Sequence, residues 1–309
     1  MPLTSKLPWA VILAGGDGTR LRPLTQRLTG DARPKQFCRL FGGQTLLDQT
    51  RRRADLIIRT DRQIVVVTRT HAPYWASLER ELFPGRLLAQ PDNRGTAPAI
   101  MLAALAVRGL AGDAPIAILP SDHDVADDAG FMDGVADAVA FVTAHPESLI
   151  LLGVEAGSAE TEYGWIEPVV ESASPVARIN RFWEKPSAGQ ARALLERGCL
   201  WNSFVMVGWA SAFARVVRAA TPDIAEALAP AAFALGTSRE STVLERAYAS
   251  LPSVGFSERV LTPQAHRFSV MRVKDVGWCD LGNPRRAVES ALRRGHEPPW
   301  RAEAASLTA

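Results

Sequence analysis

The stretch of this 309-residue chain with the most chemical potential holds three glycines within four positions, Gly15, Gly16 and Gly18, then Thr19 and two arginines, Arg20 and Arg22. Glycines let a backbone turn sharply and bring its N–H groups close to an anion, and guanidinium forks match phosphate oxygens. The loop is therefore a candidate phosphate cradle; the plainer reading is a glycine turn with two solvated arginines. Two commoner phosphate loops are excluded. The dinucleotide pattern starting at Gly16 fails at Leu21, where Gly or Ala is required, and no Gly-Lys-Ser/Thr occurs anywhere.

Further groups along the chain suit the same chemistry. Lys35 follows Pro34 on a stiff, loop-like segment and could act as a point charge on a phosphate, or simply be an exposed lysine. The stretch Gln90-Pro-Asp-Asn-Arg-Gly-Thr-Ala-Pro-Ala99, with Gln90, Gly95 and Thr96, offers amides and free N–H groups to a base edge, or is a plain turn with an N-cap. Asp122, in Pro-Ser-Asp-His-Asp after an apolar run, is a natural Mg²⁺ ligand beside a phosphate loop, with Asp124 as competitor. His123 reads as a satisfied loop residue. Glu184 and Lys185 are adjacent before Pro186; a strand would point them to opposite faces, whereas an irregular turn could aim both at one ligand. Asn202 beside Trp201 suits hydroxyl recognition or a turn. Asp280, between Gly277 and Gly282, is a second carboxylate with no evident capping role.

The elements that must position these groups follow from periodicity. Val11–Ala14, Gln63–Thr68 and Ile116–Leu119 read as buried strands, with helical patterns over Leu46–Ile58, Ala72–Phe83 and Ala99–Val107 between them. That alternation predicts parallel pairing, with ligands beyond the carboxyl ends of the strands. From Tyr163 onward strands at 163–168, 176–182 and 202–209 flank a single helical interval at 187–197, which predicts a mixed sheet. Helical patterns follow at 225–234, 242–249 and 285–294, and the segment 291–309 is expected to be a loose tail.

Composition removes several classes. Apolar residues make up 47% and charged residues 22%, which fits neither disorder nor a membrane protein, and a net charge of +2 gives no electrostatic case for nucleic acid. Arg51-Arg52-Arg53 is expected to be one solvated side of a helix. Cys38, Cys199 and Cys279 are distant from one another and lack any C-x-x-C spacing, so small core residues in a reducing cytoplasm are expected rather than disulfides or zinc. The apolar stretch 7–14 runs into the glycines without a cleavage site, so no signal peptide and a cytoplasmic location are expected.

Leu-Ala-Gly-Gly-Asp-Gly-Thr-Arg-Leu-Arg-Pro, Pro-Lys-Gln-Phe, Gln-Pro-Asp-Asn-Arg-Gly-Thr-Ala-Pro-Ala, Pro-Ser-Asp-His, Tyr-Gly-Trp-Ile, Phe-Trp-Glu-Lys-Pro, Trp-Asn-Ser and Trp-Cys-Asp-Leu-Gly occur in that order between Trp9 and Pro284. Together they resemble the sugar-phosphate nucleotidyltransferases, the mannose-1-phosphate guanylyltransferases most of all. The resemblance implies an α/β, Rossmann-like fold with a mostly parallel mixed central sheet flanked by helices and a small C-terminal helical and strand portion. It also implies one catalytic domain over 1–290, with a nucleotide half to about 160 and a sugar-phosphate half after it.

The implied reaction joins an NTP, GTP first, to a sugar 1-phosphate, mannose 1-phosphate first, and releases pyrophosphate. By the same resemblance Gly15, Gly16, Gly18 and Thr19 hold the triphosphate, Arg20 and Lys35 balance charge at the reacting phosphorus, and Gln90, Gly95 and Thr96 lie by the base. Asp122 and Asp280 would carry Mg²⁺. Gly164, Glu184 and Asn202 would face the sugar, and Lys185 its phosphate. The implied partners are these small molecules, not nucleic acid or membrane, and a homo-oligomer is compatible with the resemblance. Two features depart from it or compete with it. Phe204 follows Trp-Asn-Ser where family members usually have Gly, and Asp275-Val-Gly competes with Asp280 as the metal segment.

Overall fold

The computed structural model describes residues 7–169 and 174–307. Within them nine strands form one sheet: β1 (Trp9–Leu13), β2 (Gln63–Thr68), β3 (Leu87–Gln90), β4 (Pro115–Pro120), β5 (Leu149–Glu155), β6 (Gly164–Pro168), β7 (Val176–Glu184), β8 (Leu200–Trp209) and β9 (Ser269–Val273). Their spatial order is β3-β2-β1-β4-β8-β5-β9-β7-β6. The first four are parallel, with Val11 opposite Ile64 and Leu13 opposite Pro120, so the loops after β1 and β4 leave the sheet side by side.

Strand β8 runs antiparallel between β4 and β5. Strands β5 and β9 are parallel, whereas β7 is antiparallel to both β9 and β6. The α/β class, the flanking helices and the mostly parallel mixed sheet are as expected: among the described residues seven strands run one way and only β7 and β8 run against them. Strand β9 had no clear signal in the sequence.

Side chains alternate across the sheet and feed two apolar layers. Val11, Ile64, Val66 and Ile118 pack on one face, under the helix Thr96–Ala111, whose residues Ala97 to Val107 are all buried. Ala10, Ile12, Val65, Val67 and Leu119 pack on the other, with Phe131, Val135 and Val142 of the helix Asp128–Ala144. Burial on both faces explains why the strand sequences are runs of Val, Ile and Ala rather than alternating polar patterns.

Two local expectations are corrected. The stretch 72–83 is not one helix but short turns at Ala72–Trp75 and Leu78–Glu81. The chain from 291 is not loose: the helix Pro284–Arg293 continues into a turn, and a short helix, Arg301–Ala305, docks Trp300 and Ala304 against Leu21, Leu24 and Leu40. Trp300 Nε1 also donates to the Leu40 carbonyl at 3.3 Å. One large aromatic in a segment short of apolar residues carries little periodic signal, yet it closes this third cluster. Residues 308 and 309 lie outside the described residues. The three cysteines are free and buried, as expected.

Candidate functional site

A cavity of about 410 Å³ opens where the loops after β1 and β4 meet the second half of the chain. Of the residues singled out by sequence, Gly16, Arg20, Thr96, Asp122, Gly164, Glu184, Lys185, Asn202 and Asp280 line it.

A short antiparallel bridge brings the two aspartates together. Asp124 N donates to the Cys279 carbonyl at 2.8 Å and Cys279 N to the Asp124 carbonyl at 2.9 Å, so the segments ending in Asp122 and beginning at Asp280 run side by side. Lys35 fills the space between them. Its buried Nζ lies 3.2 Å from Asp122 Oδ2 and donates to the Asp280 carbonyl at 2.5 Å. Lys35 is therefore held behind the cavity wall rather than presented on the surface. Gly18 suits its place on two counts: its backbone is left-handed, at φ +59°, and a Cβ there would sit only 3.0 Å from Lys35 N.

Asp280 is held from three sides. Its Oδ1 accepts from Gly282 N at 2.8 Å and from Arg286 Nη1 at 3.1 Å, and its Oδ2 accepts from Arg20 Nη2 at 3.2 Å. Burial raises the Asp122 and Asp280 carboxyls, but the Lys35 ammonium beside both, with Arg286 and Arg20 at Asp280, more than reverses that and leaves each below its ordinary value. Both are carboxylates at neutral pH.

The two competing aspartates lie elsewhere. Asp124 is buried and bound by Arg294 and by Ser290 Oγ, the latter at 2.6 Å. Asp275 lines a different cavity, with Glu155 and Arg293. No cluster of three or more acidic, His or Cys side chains able to hold a metal occurs among the described residues. Two carboxylates on one rim do fit a Mg²⁺ that takes most of its shell from phosphate oxygens and water.

Lys185 adopts φ +45°, the irregular turn that lets both it and Glu184 reach the same cavity. Burial raises the Glu184 carboxyl above its ordinary value; Lys185, with Nζ 3.9 Å away, works against this and Glu258 adds to it. Positive φ at Lys185, Phe204 and Leu281 places three strained residues at the cavity or next to a residue lining it.

Other expected residues lie outside the wall. Gln90 is buried, with Oε1 accepting from Tyr248 Oη at 2.9 Å. Gly95 is clamped under Val254, whose carbonyl oxygen a Cβ would approach to 2.4 Å. Thr96 reaches the cavity, but its Oγ1 accepts from Phe256 N at 2.7 Å. Gly15 packs on Gln90 and Thr68, Arg22 turns back to the Asp17 carbonyl at 3.1 Å, and neither they nor Gly18 and Thr19 line the cavity.

Sequence reading missed Arg286, Glu162, His123 and Ser257. Arg286 is buried and joins Asp280 to Glu162 at 3.0 Å and to Glu160, with its guanidinium over the Tyr163 ring at 4.4 Å. It lies in the helical pattern read over 285–294, where nothing local sets it apart from its neighbour Arg285. His123 is not a plain loop residue. It lines the cavity with its ring edge on Trp278, its Nε2 3.5 Å from Asp122 Oδ1 and its Nδ1 without a partner.

A family model described as nucleotidyl transferase matches residues 9–293. The chain belongs to the nucleotidyl transferase family. It is 34% identical over 277 residues to the xanthan biosynthesis protein XanB of Xanthomonas campestris pv. campestris, covering 88% of this chain and 57% of that protein. It is 30% identical over 280 residues to a mannose-1-phosphate guanylyltransferase of Escherichia coli, covering 88% of this chain and 58% of that one. The chain thus spans a little over half the length of these two relatives.

Among solved structures it resembles one titled mannose-1-phosphate geranyltransferase from Thermus thermophilus, with a TM-score of 0.80, 29% identity, and 92% and 78% of the two chains covered. A UDP-glucose pyrophosphorylase complexed with UDP-glucose shares the fold, with a TM-score of 0.56 at 16% identity and 93% and 98% coverage. Among the described residues no helix is long and apolar enough to cross a membrane.

Proposed function

We propose that this chain transfers a nucleotidyl group from an NTP, GTP by preference, to a sugar 1-phosphate, mannose 1-phosphate by preference, releasing pyrophosphate with Mg²⁺. The observation that carries this reading is that one cavity is lined by Arg20, Asp122 and Asp280 together with Glu184, Lys185 and Asn202. The name of the Escherichia coli relative at 30% identity supports the guanylyl and mannosyl choices.

The chemistry asks for little beyond charge and alignment. A sugar-phosphate oxygen attacks the α-phosphorus of the NTP in line, the bond to the bridging oxygen of the β-phosphate breaks, and pyrophosphate leaves. A phosphate dianion is already a competent nucleophile, so no dedicated base is required. Holding two mutually repelling anions in contact is the difficult part. Arg20, half exposed and ion-paired to Asp280, exchanges that partner for triphosphate oxygens, and Lys185, 63% exposed at its side chain, meets the sugar phosphate. Lys35 lends its charge from behind the wall. Asn202, Glu184 and the Gly164 backbone orient the sugar hydroxyls. Asp122 and Asp280 hold Mg²⁺, which when bound offsets charge on the triphosphate.

The test is pyrophosphate release by purified protein with Mg²⁺, mannose 1-phosphate and each NTP in turn. GTP should be fastest by a wide margin. A different best pair would change the substrate assignment, and no release with any NTP and hexose 1-phosphate would overturn the transferase reading.

A further inference from the structure

Strand β8 crosses the cavity with an irregularity at one place. Its register with β5 passes from Met206 opposite Leu151 to Asn202 opposite Gly153, so Ser203, Phe204 and Val205 together face Leu152 alone. Three bonds fix this bulge. Ser203 Oγ donates to the Leu152 carbonyl at 2.6 Å and accepts from Val205 N at 3.1 Å, while Asn202 Oδ1 accepts from Phe204 N at 3.0 Å.

Phe204 itself stands at φ +60°. A bulky side chain seldom adopts that backbone, and such strain persists where the surroundings impose it, often at ligand sites. Bulges next to active sites commonly re-aim a side chain. Here Ser203 and Val205 are buried, whereas Phe204 is half-buried in the cavity wall with Asn202 and Ser257, its ring edge-on to Phe256 at 6.3 Å. A ring needed only to fill the core could come from an unstrained position.

Resting on the transferase reading above, we propose that Phe204 is a specificity-determining residue: its ring is an apolar platform and a size limit at the sugar end of the cavity. An aromatic face accepts the C–H side of a pyranose and offers nothing to a hydroxyl or amide placed against it. The substrate class is therefore an unsubstituted hexose 1-phosphate, and hexosamine 1-phosphates bearing an N-acetyl group are refused.

Phe204→Gly separates this from a packing role, because glycine suits the observed backbone while removing the ring. The ratio of kcat/KM for mannose 1-phosphate to that for N-acetylglucosamine 1-phosphate should fall by about tenfold or more, mostly through KM, the scale on which pocket shape discriminates. The melting temperature should hold or rise. Phe204→Asn, which also tolerates a left-handed backbone, should shift the ratio in the same direction.

An unchanged ratio in both variants, or equal loss of both activities with a large fall in melting temperature, overturns the proposal. A wild type that releases no pyrophosphate with any pair fails the transferase reading instead. In that case calorimetric titration with mannose 1-phosphate decides the role of the ring: weaker binding to Phe204→Gly supports it, and equal binding overturns it.

Discussion

Replacing Arg286 by Met would keep the apolar stem and remove the charge that ties the last segment of the site together. The guanidinium is buried and serves Asp280 at 3.1 Å, Glu162 at 3.0 Å and Glu160, while lying over Tyr163. Removing one partner of a buried ion pair costs about 3–5 kcal/mol, because the other charge stays desolvated. The lower end applies here. Glu162 and Glu160 are 43% and 21% exposed and regain water, and Asp280 keeps Arg20 and the Gly282 N–H.

A loss of about 3 kcal/mol is expected, or roughly 5 °C in melting temperature for a chain of this size. Groups that orient a metal ligand from behind typically change metal affinity by about 10–100-fold, so the Mg²⁺ concentration for half-maximal pyrophosphate release should rise by about tenfold. Calorimetry and a magnesium titration of the same preparation read both effects. A melting temperature within about 1 °C of wild type, with an unchanged magnesium requirement, would refute the argument that this guanidinium organises Asp280.

Three further outcomes follow from the geometry. Asp280→Asn should abolish the magnesium response in the pyrophosphate assay and Asp275→Asn should leave it intact; the reverse would move the metal to the neighbouring cavity. Lys35→Ala should lower turnover by roughly a hundredfold, the scale of losing one preorganised donor; a rate within a few-fold of wild type would remove Lys35 from the chemistry. Trp300→Ala should destabilise the fold by about 3–5 kcal/mol through the cavity left beside Leu21, Leu24 and Leu40. Urea unfolding measures this, and an unchanged midpoint would mean that the C-terminal contact contributes little.

Much of the site was legible because its groups stand next to local signals. Gly16 and Arg20 follow a strand pattern, Asp122 ends one, and Glu184-Lys185 precede a proline, so their placement at carboxyl ends or in irregular turns could be read from nearby residues. Residues whose roles depend on distant partners were not legible. Gln90 turns inward because Tyr248 waits for it, and Gly95 is covered by Val254, each more than 150 positions away. Arg286 reads as a surface charge because periodicity cannot distinguish a buried guanidinium with three acidic neighbours from a solvated one. The same limit applies to β8. Its apolar run is evident, but nothing local announces that it enters antiparallel between β4 and β5.

That insertion has a consequence for anyone wishing to divide the molecule. A fragment ending near residue 160 would contain β4 and β5 but neither β8, which joins them, nor β9, leaving one edge of β4 and both edges of β5 with unpaired N–H and carbonyl groups along mostly apolar strands. Such edges invite aggregation. Grafting a different second half onto the first 160 residues would therefore require carrying β8 and β9 across as part of the graft, together with the Asn202 and Phe204 that β8 bears.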